Sequence, residues 1–228
     1  LSILDNDTPV ITVVGGPLAF GGIEPGAASA AQSYSVSGVF LSADIVVTAP
    51  ADFQVALALG GPWLSGLNLT PTSGSVSSTT VYVRFVPTSL GAAGGNVSNA
   101  STGAATQNVA VSGTGEGIVT SGGPLAFGSQ LSGTQSAAQS YTVQAQSLAA
   151  NLLITPPTGF QVALAPGGPW QASLNLGSGN VAATTIHVRF APASAGAFGG
   201  NVSNASTGYT TRNIAVSGTG TAASIVIS

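Results

Sequence analysis

Chemistry at neutral pH needs a proton-transfer group, a nucleophile with a base, or a metal, and this sequence offers little of any. His187 is the only imidazole. It shares a strand face with Arg189 two residues on, opposite the face of Val188 and Phe190. Serine is abundant, but without a base each one is only a hydroxyl. Asp5 and Asp7 bring together hard oxygens of the kind Ca²⁺ favours, with Asp52 or Glu116 as the acids able to join them; an Asp/Asn-Pro turn accounts for the same residues. Trp63 and Trp170 each follow Gly-Gly-Pro, a hairpin tip that could present an aromatic face to a sugar ring. The alternative is a ring folded down to cap the end of the core, burying on the order of 200 Å².

The composition narrows the classes of partner. Of 228 residues, 44% are hydrophobic and only 4% charged, so the surface must be Ser, Thr, Asn, Gly and Ala. Three Lys or Arg against six acids give a formal charge of −3, too acidic for nucleic acid or anionic lipid. With no Cys there are no disulfides or thiolate metal sites, and stability must come from packing and strand pairing. No Met opens the chain, which reads as a processed product or a piece of something longer. Mean hydropathy is +0.46, yet the apolar runs are short and broken by Gly, Pro, Ser and Thr, so no membrane span is expected.

The chain is a duplication. Gly15 to Phe20 (GGPLAF) returns at Gly122 to Phe127, Ser29 to Tyr34 at Ser136 to Tyr141, and Phe53 to Ala58 at Phe160 to Ala165. After a two-residue deletion the match resumes, Val83-Arg84-Phe85 with Val188-Arg189-Phe190 and GGNVSNASTG from Gly94 with the same letters from Gly199. Roughly two-thirds of aligned positions are identical. The expected organisation is an N-terminal strand or linker over 1–9, a first repeat over 10–116, a second over 117–220 and a C-terminal orphan strand over 221–228.

Within each copy the period is two. Phe53, Val55, Leu57 and Leu59 alternate with Gln54, Ala56 and Ala58, and Val81, Val83 and Phe85 alternate with Tyr82, Arg84 and Val86. Further strands are expected over 10–14, 32–36, 44–48, 67–70 and around Val109 and Val111, with no helical stripe anywhere. Seven or so strands in about 105 residues predict an all-β protein, two tandem Ig-like β-sandwich domains.

The motifs SAAQSY, FQVALA, VYVRF, GGNVSNASTG and VSGTG resemble tandem Ig-like repeats of very large surface and secreted proteins of Bacteroidota, over residues 10 to 220. Leu1 to Pro9 resembles the last strand and exit of a Calx-β domain. The resemblance implies an extracellular, cell-surface stalk, adhesin or fibre, and no catalytic residues to carry over.

The repeat also sorts the candidate sites. His187 answers to Tyr82, and Glu24, Asp44 and Asp52 are replaced by Leu131, Asn151 and Gly159, so neither an imidazole nor a carboxylate pair recurs and an enzyme is not expected. Arg84 and Arg189 do recur, as a cross-strand hydrogen bond would require. Asn6, Asn68, Asn96, Asn99, Asn201 and Asn204 each open an Asn-X-Ser/Thr sequence, and are read as turn or strand residues with room for attached sugar nearby.

Ser224 to Ser228 aligns with Gly117 to Ser121, the opening strand of the second repeat, and Leu1 to Leu4 reads as a last strand without its domain. Leu1, Ile3, Leu4, Ile225, Val226 and Ile227 are therefore the expected strand-exchange residues, since sheet edges here carry almost no protective charge. The expected function is a non-enzymatic structural building block whose partners are copies of itself or neighbouring repeats. The alternative is a carbohydrate-binding module using Trp63 and Trp170, with glycans as partners. No cofactor is expected beyond the Ca²⁺ considered at Asp5 and Asp7.

Overall fold

The structure, a computed structural model, describes residues 7–223. The chain divides into two compact units that meet between Gly115 and Glu116. Unit 1 contains β1 (Val10–Val14), β2 (Leu18–Ile23), β3 (Gln32–Val39), β4 (Ile45–Thr48), β5 (Phe53–Ala56), β6 (Gly66–Leu69), β7 (Val76–Phe85), β8 (Gly91–Ala100) and β9 (Gln107–Gly115). Unit 2 repeats them as β10 (Gly117–Ser121), β11 (Leu125–Leu131), β12 (Gln139–Leu148), β13 (Leu153–Thr155), β14 (Phe160–Ala163), β15 (Leu174–Asn175), β16 (Gly179–Phe190), β17 (Gly196–Ala205) and β18 (Arg212–Thr221). β18 runs one residue past 220, the expected end of the second repeat.

Each unit is an Ig-like sandwich of a four-stranded and a five-stranded sheet. In unit 1 the orders are β1-β3-β7-β5 and β2-β9-β8-β4-β6; in unit 2 they are β10-β12-β16-β14 and β11-β18-β17-β13-β15. All pairings are antiparallel except β2 with β9 and β11 with β18. β5 lies in the four-stranded sheet while β4 and β6, its neighbours in sequence, pair with each other in the other sheet. The chain thus crosses the sandwich three times between β4 and β7, a pattern that alternation along single strands does not reveal.

Inward residues of both sheets form one core per unit. In unit 1 Val36, Val55, Val81, Val83 and Phe85 from the first sheet meet Ile45, Val47, Val97 and Val109 from the second. Phe85 stacks on Phe53 at 4.9 Å between ring centroids, and the ideal Cβ position at Gly113 is only 2.6 Å from the Phe85 ring. No larger residue fits there without moving the ring. Gly218 stands in the same relation to Phe190.

Three expectations are corrected. Leu57 and Leu59 do not share the buried face of Phe53 and Val55: the strand ends at Ala56, and the two leucines are 50% and 64% exposed in the loop that follows. The strand expected over 67–70 begins and ends one residue earlier. Each unit also carries nine strands rather than seven. β2 and β8 had no alternating signal, because β8 is largely Gly, Ala and Asn.

Candidate functional site

The most organised polar cluster on either surface is built from one residue on each of three segments. Gln54 on β5 and Arg84 on β7 are register partners facing away from the core, and Arg84 donates from Nε to Gln54 Oε1 at 2.8 Å. The chain leaves β5, turns through the Gly-Gly-Pro segment and returns along its free edge, where Val55 and Leu64 exchange backbone hydrogen bonds of 2.8 and 2.9 Å. Trp63 immediately precedes this bridge, and its ring lies 4.6 Å from the Arg84 guanidinium carbon, a cation–π contact.

To reach Arg84 from beyond the sheet edge, the indole crosses the outer face of β5. The residue it must pass is Ala56, on the outward side of the strand yet only 1% exposed. Gly61 permits the fold-back: its φ is +87°, and an added Cβ would sit 2.8 Å from Trp63 Cδ1. Unit 2 repeats every part. Arg189 Nε donates to Gln161 Oε1 at 2.8 Å, its guanidinium lies 4.6 Å from the Trp170 ring, and Ala163 is fully buried beneath.

The tryptophans thus follow neither expectation in full. They do not cap a core cluster, nor do they stand clear at a hairpin tip; each is half-buried on the outer face of the four-stranded sheet, stacked on an arginine. The cross-strand hydrogen bond expected of Arg84 and Arg189 is present in both units. Tyr82 and His187 occupy the next outward position along β7 and β16, and both are half-buried.

The acids are dispersed. Asp7 is exposed, and among the described residues no three His, Cys, Asp or Glu side chains gather in a metal-holding group. Asp52 stands at a loop position with φ of +67° and accepts hydrogen bonds at Oδ1 from Thr88 N at 3.1 Å and Thr88 Oγ1 at 2.8 Å. Its carboxylate is a turn lock. Asp5 lies outside the described residues, as do Leu1, Ile3, Leu4, Ile225, Val226 and Ile227.

Asn6 lies outside the described residues, and the other Asn-X-Ser/Thr positions fall into two groups. Asn68, Asn96 and Asn201 are exposed, whereas Asn99 and Asn204 are fully buried. Tyr34 donates its hydroxyl to Asn99 Oδ1 at 2.8 Å, and Asn99 Nδ2 donates to the carbonyls of Val97 and Gln107. Tyr141 and Asn204 repeat the arrangement at 2.7 Å, with the carbonyls of Val202 and Arg212. The bond joins the two sheets of each sandwich, and burial holds both phenols well above their ordinary pKa despite the asparagine acceptor. These asparagines are closed to modification.

No protein-family model matches the chain, and no curated protein matches it by sequence. Among solved structures, the tandem IG1+IG2 of DIP-gamma is similar at 12% identity, over 94% of this chain and 98% of that one, with a TM-score of 0.38. The C-terminal domain of the Streptococcus pyogenes antigen I/II-family protein AspA is similar at 9% identity, over 93% and 99%, with a TM-score of 0.34. The C-terminal domain of the Streptococcus agalactiae AgI/II polypeptide BspA gives 9% identity, 92% and 99% coverage and 0.32.

Proposed function

We propose that this chain is a non-enzymatic, extracellular structural protein, a repeat unit of a cell-surface fibre, filament or adhesin stalk. The observation that carries the reading is the pattern of what the duplication keeps. The inter-sheet Tyr–Asn bond, the glycine against the core phenylalanine and the strand orders recur in both units, while Glu24, Asp44 and Asp52 do not. A scaffold copied with its framework intact and its acidic groups not repeated suits a module whose work is mechanical. The sequence resemblance to tandem surface repeats points the same way.

Assembly by strand donation is the finer part of the proposal. Residues 224–228 match β10, and β10 inserts Ile118 fully into the unit 2 core while forming the edge of its sheet. A strand of this sequence can therefore complete or extend a sandwich, with main-chain bonds giving affinity and alternate side chains the register. Paired head to tail, copies would propagate without closing.

Negative-stain microscopy with light scattering on the chain, with and without residues 224–228, tests this. Filaments or oligomer ladders that vanish on truncation are expected. A monodisperse monomer in both cases overturns strand donation.

A further inference from the structure

The two Trp–Arg–Gln clusters have a property that a purely structural contact does not need: they present donors without acceptors. Gln54 Oε1 is occupied by Arg84 Nε, which turns the amide nitrogen outward. Among the described residues, Gln54 Nε2, the Arg84 Nη groups and Trp63 Nε1 have no hydrogen-bond partner, and Arg84 has no carboxylate partner. None of these atoms is sealed from solvent. Gln161, Arg189 and Trp170 repeat the cluster with the same unused donors.

The guanidinium is also held in place. Its Nε is tied to glutamine and its central carbon lies 4.6 Å from an indole centroid, so the remaining N–H groups form a restrained fork of the shape that pairs with a planar carboxylate. Apart from this cation, and His187 in unit 2, the outward face of the four-stranded sheet carries no Asp, Glu, Lys, Arg or His among the described residues. The nearby outward positions are Tyr82, Ser33, Ser35, Ser78 and Thr80 in unit 1, and His187, Ser140, Thr142 and Thr185 in unit 2.

We infer that each sandwich carries a binding site for a carboxylated sugar at this cluster: Arg84 and Arg189 engage the carboxylate, Gln54 and Gln161 donate a second bond through Nε2, and the indoles of Trp63 and Trp170 offer their free ring surface to the pyranose. An acceptor-rich anion satisfies a donor-only cluster, and one guanidinium suits the single charge of a carboxylate. The surrounding hydroxyls favour a polyhydroxyl ligand over an acidic peptide, which would find one cation per site and no charged rim to grip. Two sites sharing the same Trp, Arg and Gln on one chain match a polymer that repeats its acidic unit, where avidity multiplies weak single contacts. The inference is independent of the fibre reading and does not require assembly.

The test is affinity electrophoresis and calorimetry of the full chain with polygalacturonate, with dextran and poly-L-glutamate as the neutral and peptide arms. Binding to polygalacturonate that weakens with salt, with no binding to dextran and markedly less to poly-L-glutamate, is expected. Arg84→Gln and Arg189→Gln should each weaken binding, by about tenfold to a hundredfold per site, and together abolish it. Gln54→Glu with Gln161→Glu supplies an internal carboxylate to each arginine and removes no packing atom; it should silence both sites with the thermal transition preserved. The inference is overturned by no binding to polygalacturonate, by equal binding to poly-L-glutamate, or by full binding in the folded Gln54→Glu, Gln161→Glu chain.

Discussion

The two units solve one loop in different ways. At the turn before β5, unit 1 places Asp52 in the left-handed region and locks it to Thr88; unit 2 has Gly159 there, with φ of +87°. The space differs correspondingly. An added Cβ at Gly159 would lie 2.6 Å from the Phe198 ring, whereas the position matching Phe198 in unit 1 is Ala93. Phe198 in turn packs edge-on against Phe190 at 5.4 Å, adding an aromatic layer unit 1 lacks. One unit closes the corner with a polar lock over a small residue, the other with a ring over a glycine. A side chain at 159 and the Phe198 ring would compete for the same space.

Exposed apolar surface divides unequally as well. Unit 1 presents Val10, Val39 and Phe40 where unit 2 has Gly117, Gln146 and Ser147, and Leu64 where unit 2 has Gln171. In unit 2 Tyr209 reaches back to donate to the Ser147 carbonyl at 3.0 Å, while Ala104 and Phe40 hold the matching positions in unit 1. The frameworks are nearly the same and the surfaces are not.

The largest expected difference is in the aromatic core. Phe190→Ala should cost about 3–5 kcal/mol and more than Phe85→Ala, because Phe190 contacts Phe127, Phe160 and Phe198 while Phe85 stacks on Phe53 alone. Hydrogen exchange resolved to each unit measures both, and equal losses would break the comparison. Next come Tyr34→Phe and Tyr141→Phe, each leaving a buried asparagine oxygen without its donor at a cost of about 1–3 kcal/mol. Here the units should respond alike.

The same phenols set a pH limit. Folding raises their pKa above the unfolded value of 10.0, so their contribution is intact below about pH 10 and is lost progressively as pH climbs beyond it. The chain holds neither Lys nor Cys, which leaves tyrosine as the side chain titrating in that range. Alkaline unfolding should begin above about pH 10 and be blunted in the double Tyr→Phe chain, already weakened at neutral pH; an unchanged alkaline profile would refute the assignment.

Smaller effects test the exchanged corner. Gly159→Asp should destabilise unit 2 by about 1–3 kcal/mol, since the side chain meets the Phe198 ring in a strained backbone, and Phe198→Ala should recover part of that loss in a double-mutant cycle. Additive losses would show the two positions to be uncoupled. Asp52→Gly should be nearly neutral, within about 1 kcal/mol, because relief of the left-handed strain offsets the lost bonds to Thr88. Denaturant titration reads both.

Much of the fold was legible along the chain. Val81, Val83 and Phe85, or Val109 and Val111, announce one-faced strands by alternation, and the duplication let Arg84 and Arg189 be read as a structural contact before any geometry was known. The candidate site was only partly legible: the tryptophans and arginines were recognisable, their meeting was not. Nothing local joins Trp63 to Arg84, which lies two strands further along the chain and becomes a neighbour only through the β5–β7 pairing. Asn99 is similar, an apparent surface sequon until a tyrosine 65 residues away takes it into the core.

The amino-acid sequence by itself determined that there are two like domains, that they are all β, and which short runs present an apolar face, because period-two patterning and repetition are local properties of the chain. Tertiary structure decided the rest: that a strand as poor in apolar residues as β8 forms at all, held by backbone bonds to β9 and β4; that the chain shuttles between sheets around β5; that Leu57 and Leu59 face water. Those outcomes depend on pairing between distant segments, where backbone hydrogen bonds carry no side-chain signature and the solution is the one that buries every strand's apolar face at once.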